Sequence, residues 1–236
     1  MSGHSKWDTI RRKKELNDLK KGKAFTKFLY SIVHATKEGG PNPKSNFLLK
    51  NAIDRAKSFN VSKDAINKAI EKGFSNKSSS QFMECLYEAY GPEGILVIIK
   101  CITDNKNRAI SNLRSTIERN GGRIVDNGTL SWQFQRLGVM TIKKDNVEDF
   151  DSFEIKLIDI QGVTDYEYDD DYIYIYTEVK DLKAVSATIE KNYSVDTIKI
   201  SMIPKMKIEV SDDQKVERFI EAIEELDDVD DIYLNI

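Results

Sequence analysis

The sequence predicts an α+β fold: a three-helix N-terminal domain followed by two ferredoxin-like α/β domains, the last inserted in the second. Three observations predict it. Apolar residues recur at helical spacing up to about residue 72 and at strand spacing after it. The order strand, helix, strand, strand, helix, strand closes within residues 135–203. A further strand–helix–strand pattern at 205–234 has no partners of its own.

Residues 8–34 read as helix with a break near Lys21-Gly22. Phe25, Phe28, Leu29, Ile32 and Val33 fall on one stripe. Gly39-Gly40-Pro41 ends it, because glycine accepts a left-handed cap and proline cannot continue a helix. A second helix covers about Ser45 to Phe59. A third runs from Lys63 to Lys72, with Ser62 as N-cap, Val61 and Ile66 as a staple, and Gly73 as its close. Ser75 to Ser80 is polar and reads as a linker.

The period then changes. Met83–Tyr90 and Gly94–Thr103 flank Gly91-Pro92-Glu93-Gly94 as a strand–turn–strand, and Ile95 to Ile99 suits a buried central strand. A helix from Asn105 to Arg119 stops at Asn120-Gly121-Gly122. Strand pieces follow near Arg123–Val125 and Thr129–Phe134. The next unit reads as strand 139–143, helix 146–157, strands 163–168 and 172–177, helix 179–192 and strand 195–202. Lys205–Val210 (strand), Asp212–Leu226 (helix) and Asp230–Leu234 (strand) remain, and pairing them with 83–134 completes a second sheet. The expected domains are 1–77, then 78–134 with 204–236, and an inserted 135–203.

Charge is distributed unevenly. Residues 1–77 carry 18 basic and seven acidic side chains, net +11, while the remaining 18 basic and 32 acidic side chains give −14. With a Debye length of about 8 Å at physiological salt, distant acids do not cancel a local basic surface. Between Lys6 and Lys27 stand nine cations: Lys6, Arg11, Arg12, Lys13, Lys14, Lys20, Lys21, Lys23 and Lys27. Three acids and Trp7 lie among them. Cations beside an aromatic ring suit a nucleic acid, the cations meeting phosphates and the ring a sugar or base. A solvated helix face with Trp7 as a core anchor is the competing reading. A second basic element is the helix start Asp104-Asn105-Lys106-Asn107-Arg108. Lys106 and Arg108 there either support a bound phosphate or flank a simple cap made by Asp104 or Asn105.

Gly3-His4-Ser5-Lys6-Trp7 and Lys21-Gly22-Lys23-Ala24-Phe25-Thr26-Lys27 resemble the start of the YebC/PmpR family. The resemblance continues through Asp54-Arg55-Ala56-Lys57, Tyr87 to Gly94, Thr103 to Arg108, Asn120-Gly121-Gly122 and Met202-Ile203-Pro204-Lys205. Ala89 and Glu93 stand where that family usually has glycine, the Gly39-Gly40-Pro41 loop is shorter than usual, and residues 148–200 match only in pattern. The resemblance implies a helical domain and two α/β domains, the last inserted. It implies a DNA-binding transcriptional regulator, or a ribosome- and RNA-binding translational activator like the family's mitochondrial relatives.

Motifs for catalysis do not emerge. There is no Gly-x-Ser-x-Gly, Walker-type loop, His-Glu-x-x-His or Cys-x-x-Cys. His4 and His34 are the two imidazoles, and Cys85 and Cys101 read as reduced, packed thiols. Asp169-Asp170-Asp171 reads as an acidic turn rather than a metal site, because consecutive side chains on a tight turn diverge. The expectation is a cytoplasmic, non-enzymatic regulator with no cofactor. Its basic helical domain faces nucleic acid (DNA or ribosomal RNA), its acidic α/β domains are free for protein, and no segment enters a membrane.

Overall fold

The computed structural model describes residues 24–75 and 82–236. These form two compact units, residues 133–209 with 235–236 and the residues before 133 with 210–234. Among the described residues, seven α-helices and two four-stranded antiparallel sheets make an α+β fold.

In the unit built around the N-terminal half, α1 (Ala24–Gly39), α2 (Phe47–Ser58) and α3 (Lys63–Phe74) come first. Local chemistry sets their ends. Gly40 takes φ +83, and its N–H donates to the Thr36 carbonyl. Asn46 caps α2 by accepting from the Leu49 N–H, and its amide donates to the Ala35 and Gly40 carbonyls. Ser62 caps α3 through the Ala65 N–H, and the staple residues Val61 and Ile66 are both buried. Gly73 corrects the sequence reading: it lies inside α3, not beyond it. A Cβ there would stand 2.7 Å from the Val33 carbonyl oxygen and from Thr36 Cβ, so the glycine permits close approach of α1 rather than a cap.

The first sheet follows: β1 (Met83–Tyr90), β2 (Leu96–Thr103), α4 (Lys106–Arg119), β3 (Arg123–Val125), then α7 (Asp213–Glu224) and β8 (Val229–Leu234). Its order is β3-β1-β2-β8. The strand β8 pairs with β2, Val97 opposite Leu234 and Ile99 opposite Ile232. Thus β2, α4 and β3 make a split β–α–β with β1 between the strands, the ferredoxin-like layout entered one strand earlier. Phe28, Ile32, Leu49, Ile53 and Ile66 of the helices share one core with Phe82, just before β1, and Ile102 of β2. Residues alternate faces along a strand, so Cys101 and Ile99 turn away from that core. Cys85 and Cys101 are direct cross-strand partners, and burial holds the Cys101 thiol well above its ordinary pKa. Two expectations fail here. Thr129–Phe134 is not a strand of this sheet: Ser131–Gln133 is a 3-10 turn and Phe134 opens the other sheet. Lys205–Val210 forms no ladder either; the Ile208 N–H reaches the Asn235 carbonyl, and the rest has no strand pairing.

Residues 133–209 hold β4 (Phe134–Lys143), α5 (Phe150–Ile158), β5 (Val163–Tyr168), β6 (Tyr172–Thr177), α6 (Leu182–Ile189) and β7 (Val195–Pro204). The order β5-β6-β4-β7 is the ferredoxin-like arrangement. The helix α5 starts at Phe150 rather than 146 because Asp149 caps it through the Ser152 N–H and hydroxyl. The acidic turn has a structural explanation: Asp169 accepts from the N–H groups of Asp171 and Tyr172 and from the Tyr174 hydroxyl.

Candidate nucleic-acid interface

Of the residues expected to meet nucleic acid, Lys6, Trp7, Arg11, Arg12, Lys13, Lys14, Lys20, Lys21 and Lys23 lie outside the described residues, as does most of the linker reading at 75–80. Lys27 stands in the first turn of α1 and donates to the carbonyl of Glu224, in the last turn of α7. That is a favourable place for a cation, since carbonyls lacking an intrahelical partner gather at a helix C-terminus.

A buried ion network fastens α1 at the next turn. Asp230 on β8 is 9% exposed. Its carboxylate accepts from the Ser31 hydroxyl at 2.6 Å and from Lys100 Nζ at 2.8 Å, and Arg55 of α2 lies 4.0 Å away. Lys100 also faces Glu84 at 3.5 Å. Burial alone would raise the Asp230 pKa, but Lys100 and Arg55 hold it below the usual carboxylate range. Burial likewise opposes the Lys100 charge, and Asp230 and Glu84 overcome it, raising that pKa. The network therefore ties α1 and α2 to the strands β2 and β8.

At the start of α4 the cap is realised. The Asn105 side chain accepts from the Arg108 N–H at 3.0 Å. The Arg108 guanidinium donates to Asp228 at 2.7 Å and to Asp104 at 2.9 Å. These hydrogen bonds, with Asp228 foremost, raise the Arg108 pKa. Two carboxylates on one guanidinium leave little positive field for a phosphate, so the geometry favours a role for Arg108 in joining α4 to the turn before β8. Lys106 is exposed at the first helical position, with its carbonyl receiving the Tyr87 hydroxyl at 3.5 Å. Further along, Arg114 is exposed beside a shallow groove of about 400 Å³ lined by Ile110, Ser111, Ser115 and Glu118.

One arrangement escaped the sequence reading. Glu88 of β1 is 4% exposed, and its carboxylate accepts from the N–H groups of Gly128, Leu130 and Ser131 at 2.7, 2.5 and 3.2 Å. Burial would raise its pKa, but these donors, Gly128 first, hold it below the usual range. The loop so gripped presents Trp132, which is 66% exposed while its Nε1–H donates to the Thr129 carbonyl at 2.8 Å. The turn signal Asp126-Asn127-Gly128 announces the loop. Nothing local announces a carboxylate 40 residues away. His34 is half-buried on α1, and no helix among the described residues is long and apolar enough to cross a membrane.

Comparison with known proteins fits this architecture. Residues 5–76 match the model of the TACO1/YebC protein N-terminal domain, and residues 82–236 that of the TACO1/YebC second and third domain. A probable transcriptional regulatory protein of Thermoanaerobacter pseudethanolicus is 39% identical over 239 residues, covering 100% of this chain and 97% of that protein. One of Bacillus licheniformis is 38% identical over 240 residues and covers 100% of both. The crystal structure of the conserved hypothetical protein Aq1575 from Aquifex aeolicus superposes with a TM-score of 0.81 at 33% identity, covering 91% of this chain and 89% of that one. The ordered motifs, the two four-stranded sheets and these full-length matches agree that the chain belongs to the TACO1/YebC family.

Proposed function

We propose that this protein is a non-enzymatic, nucleic-acid-binding regulator of gene expression, working in the cytoplasm as a DNA-binding transcriptional regulator. The observation that carries the reading is the charge separation, net +11 in residues 1–77 against −14 in the rest. The names of the relatives from Thermoanaerobacter and Bacillus support it. In this reading 1–77 is the basic helical domain that meets phosphates, through Lys6, Arg11, Arg12, Lys13, Lys14, Lys20, Lys21, Lys23 and Lys27, with Lys106 as an outlying contact. The α/β domain of 78–134 with 204–236 orients it, and the inserted 135–203 is available to a protein partner. Contacts dominated by phosphate position a protein without selecting sequence.

A second reading, a translational activator binding ribosomal RNA, is favoured by the exposed ring of Trp132, because RNA loops offer the unstacked bases that such a ring can engage. One experiment tests the proposal and separates the two. Affinity for duplex DNA, for structured RNA and for ribosomes is measured over a salt series, for the natural chain and for a variant with Arg11, Arg12, Lys13 and Lys14 all changed to Ala. Each lost phosphate contact should flatten the log–log salt slope by about 0.9 on a duplex or about 0.7 on a single strand. Unchanged affinity and slope in the quadruple variant would refute the basic segment as the contact surface.

A further inference from the structure

The loop 126–132 holds an exposed indole in a fixed place. Leu130 is fully buried beneath it, and the Glu88 carboxylate grips the backbone on either side of Leu130. The Thr129 hydroxyl and N–H both donate to the Asp126 carbonyl, which closes the turn. Trp132 then uses its own N–H inside the loop, through the Thr129 carbonyl. What remains to a partner is the exposed part of the ring, without a donor to place. Asp126, Asn127, Gly128 and Thr129 around it are exposed and polar or small, and within the loop no second apolar side chain is exposed. Anchors of protein–protein interfaces sit in well-packed surroundings that exclude water. A single rigid ring among polar groups instead suits stacking on a planar partner, because every base has a π-face and tolerates polar neighbours.

A cation shares a face of the sheet with Glu88. Arg123 of β3 pairs with Tyr90 as Val125 pairs with Glu88, so Arg123 and Glu88 project from the same face of the sheet. Arg123 is exposed, with its guanidinium 5.8 Å from the centre of the Tyr90 ring. Asp126 carries the only carboxylate between the end of β3 and Trp132.

We propose that Trp132 is a stacking platform for an unpaired base of single-stranded nucleic acid, oriented by Glu88 as a positioning residue, with Arg123 meeting an adjoining phosphate. This rests on the nucleic-acid reading above and adds to it a second contact, on the α/β domain. The platform separates single strands from duplexes, whose bases are already stacked.

The test uses the full chain with a twelve-nucleotide single-stranded RNA, the matching duplex, and inorganic polyphosphate as a polyanion without bases. The chain has two tryptophans, so the emission lost in Trp132→Phe isolates the share of Trp132. That share should be quenched by the single strand and left unchanged by polyphosphate. Trp132→Ala should weaken single-strand binding roughly five- to a hundredfold with an unchanged salt slope, while Trp132→Phe, which keeps a ring, should recover most of it. Glu88→Gln should give an intermediate loss and a broader, less quenched emission. Equal single-strand affinity in Trp132→Ala, or equal quenching by polyphosphate, overturns the platform and leaves the nucleic-acid reading standing. Absence of binding to every nucleic acid by the natural chain overturns both.

Discussion

Asp230→Asn is the most informative single change in the helical half of the chain. The substitution keeps the shape of the side chain and removes its charge. In the parent the carboxylate joins Ser31 of α1, Arg55 of α2 and Lys100 of β2 at a site 9% exposed. After it, Lys100 keeps the Glu84 carboxylate at 3.5 Å and loses its closest counter-charge. Breaking a buried pair by removing one member costs about 3–5 kcal/mol. Lys100 is about a quarter exposed and can reach water, which reduces the cost to just below that range, roughly 2–3 kcal/mol. For a chain of this size that is a fall in Tm of about 4–12 °C. The pH dependence carries a sign. The Asp230 pKa is lowered in the folded protein, so its contribution is present above the unfolded carboxyl value, about 4, and disappears as pH falls through the lower folded value. Thermal unfolding of both proteins from pH 7 to pH 2.5 should therefore show a gap at neutral pH that closes in acid. Adding Lys100→Met should recover part of the loss, because the stranded cation goes too. Equal Tm values at pH 7, or a gap that persists undiminished in acid, would refute the view that this network fastens α1 to the sheet.

Two further substitutions test packing and backbone. Gly73→Ala adds a helix-favouring methyl worth about 1 kcal/mol. It also drives a Cβ to 2.7 Å from the Val33 carbonyl and Thr36, so a net loss of about 1–2 kcal/mol is expected by denaturant unfolding. Glu93 takes φ +58 where the family usually has glycine, while its carboxylate accepts from Ser211 and Lys215. Glu93→Ala keeps the left-handed strain and loses those partners, so Glu93→Gly should unfold later than Glu93→Ala by about 1 kcal/mol; the reverse order would show that φ is not the cost there.

Several features were legible in the sequence because their causes lie within a few residues. Ser62 caps α3 and Asn105 caps α4 through N–H groups three positions on. Gly40 ends α1 one residue beyond its last helical position, and Asp169 closes a turn on Asp171 and Tyr172. Such bonds form wherever the local residue order permits them, whatever the rest of the chain does. The β–α–β–β–α–β run of 134–204 was readable for the same reason: period and turn signals are short-range.

The sequence by itself therefore determined most of the elements, several of their caps, the family and the charge separation, while the tertiary structure decided what those charges and glycines do. Lys205 to Val210 alternates like a strand, yet no sheet edge meets it as a ladder. Gly73 reads as a stop and is a close-packing position, because the atom it avoids belongs to another helix. Arg108 reads either as support for a phosphate or as the flank of a cap, and its ion-pair partner Asp228 lies 120 residues later. Glu88 looks like any strand glutamate until the loop 40 residues away folds over it. The physical reason is common to all four. A strand's partner, a glycine's neighbour and a buried charge's counter-charge are chosen by which surfaces meet when the chain closes on itself, and burial makes those choices strong by removing water as the alternative partner.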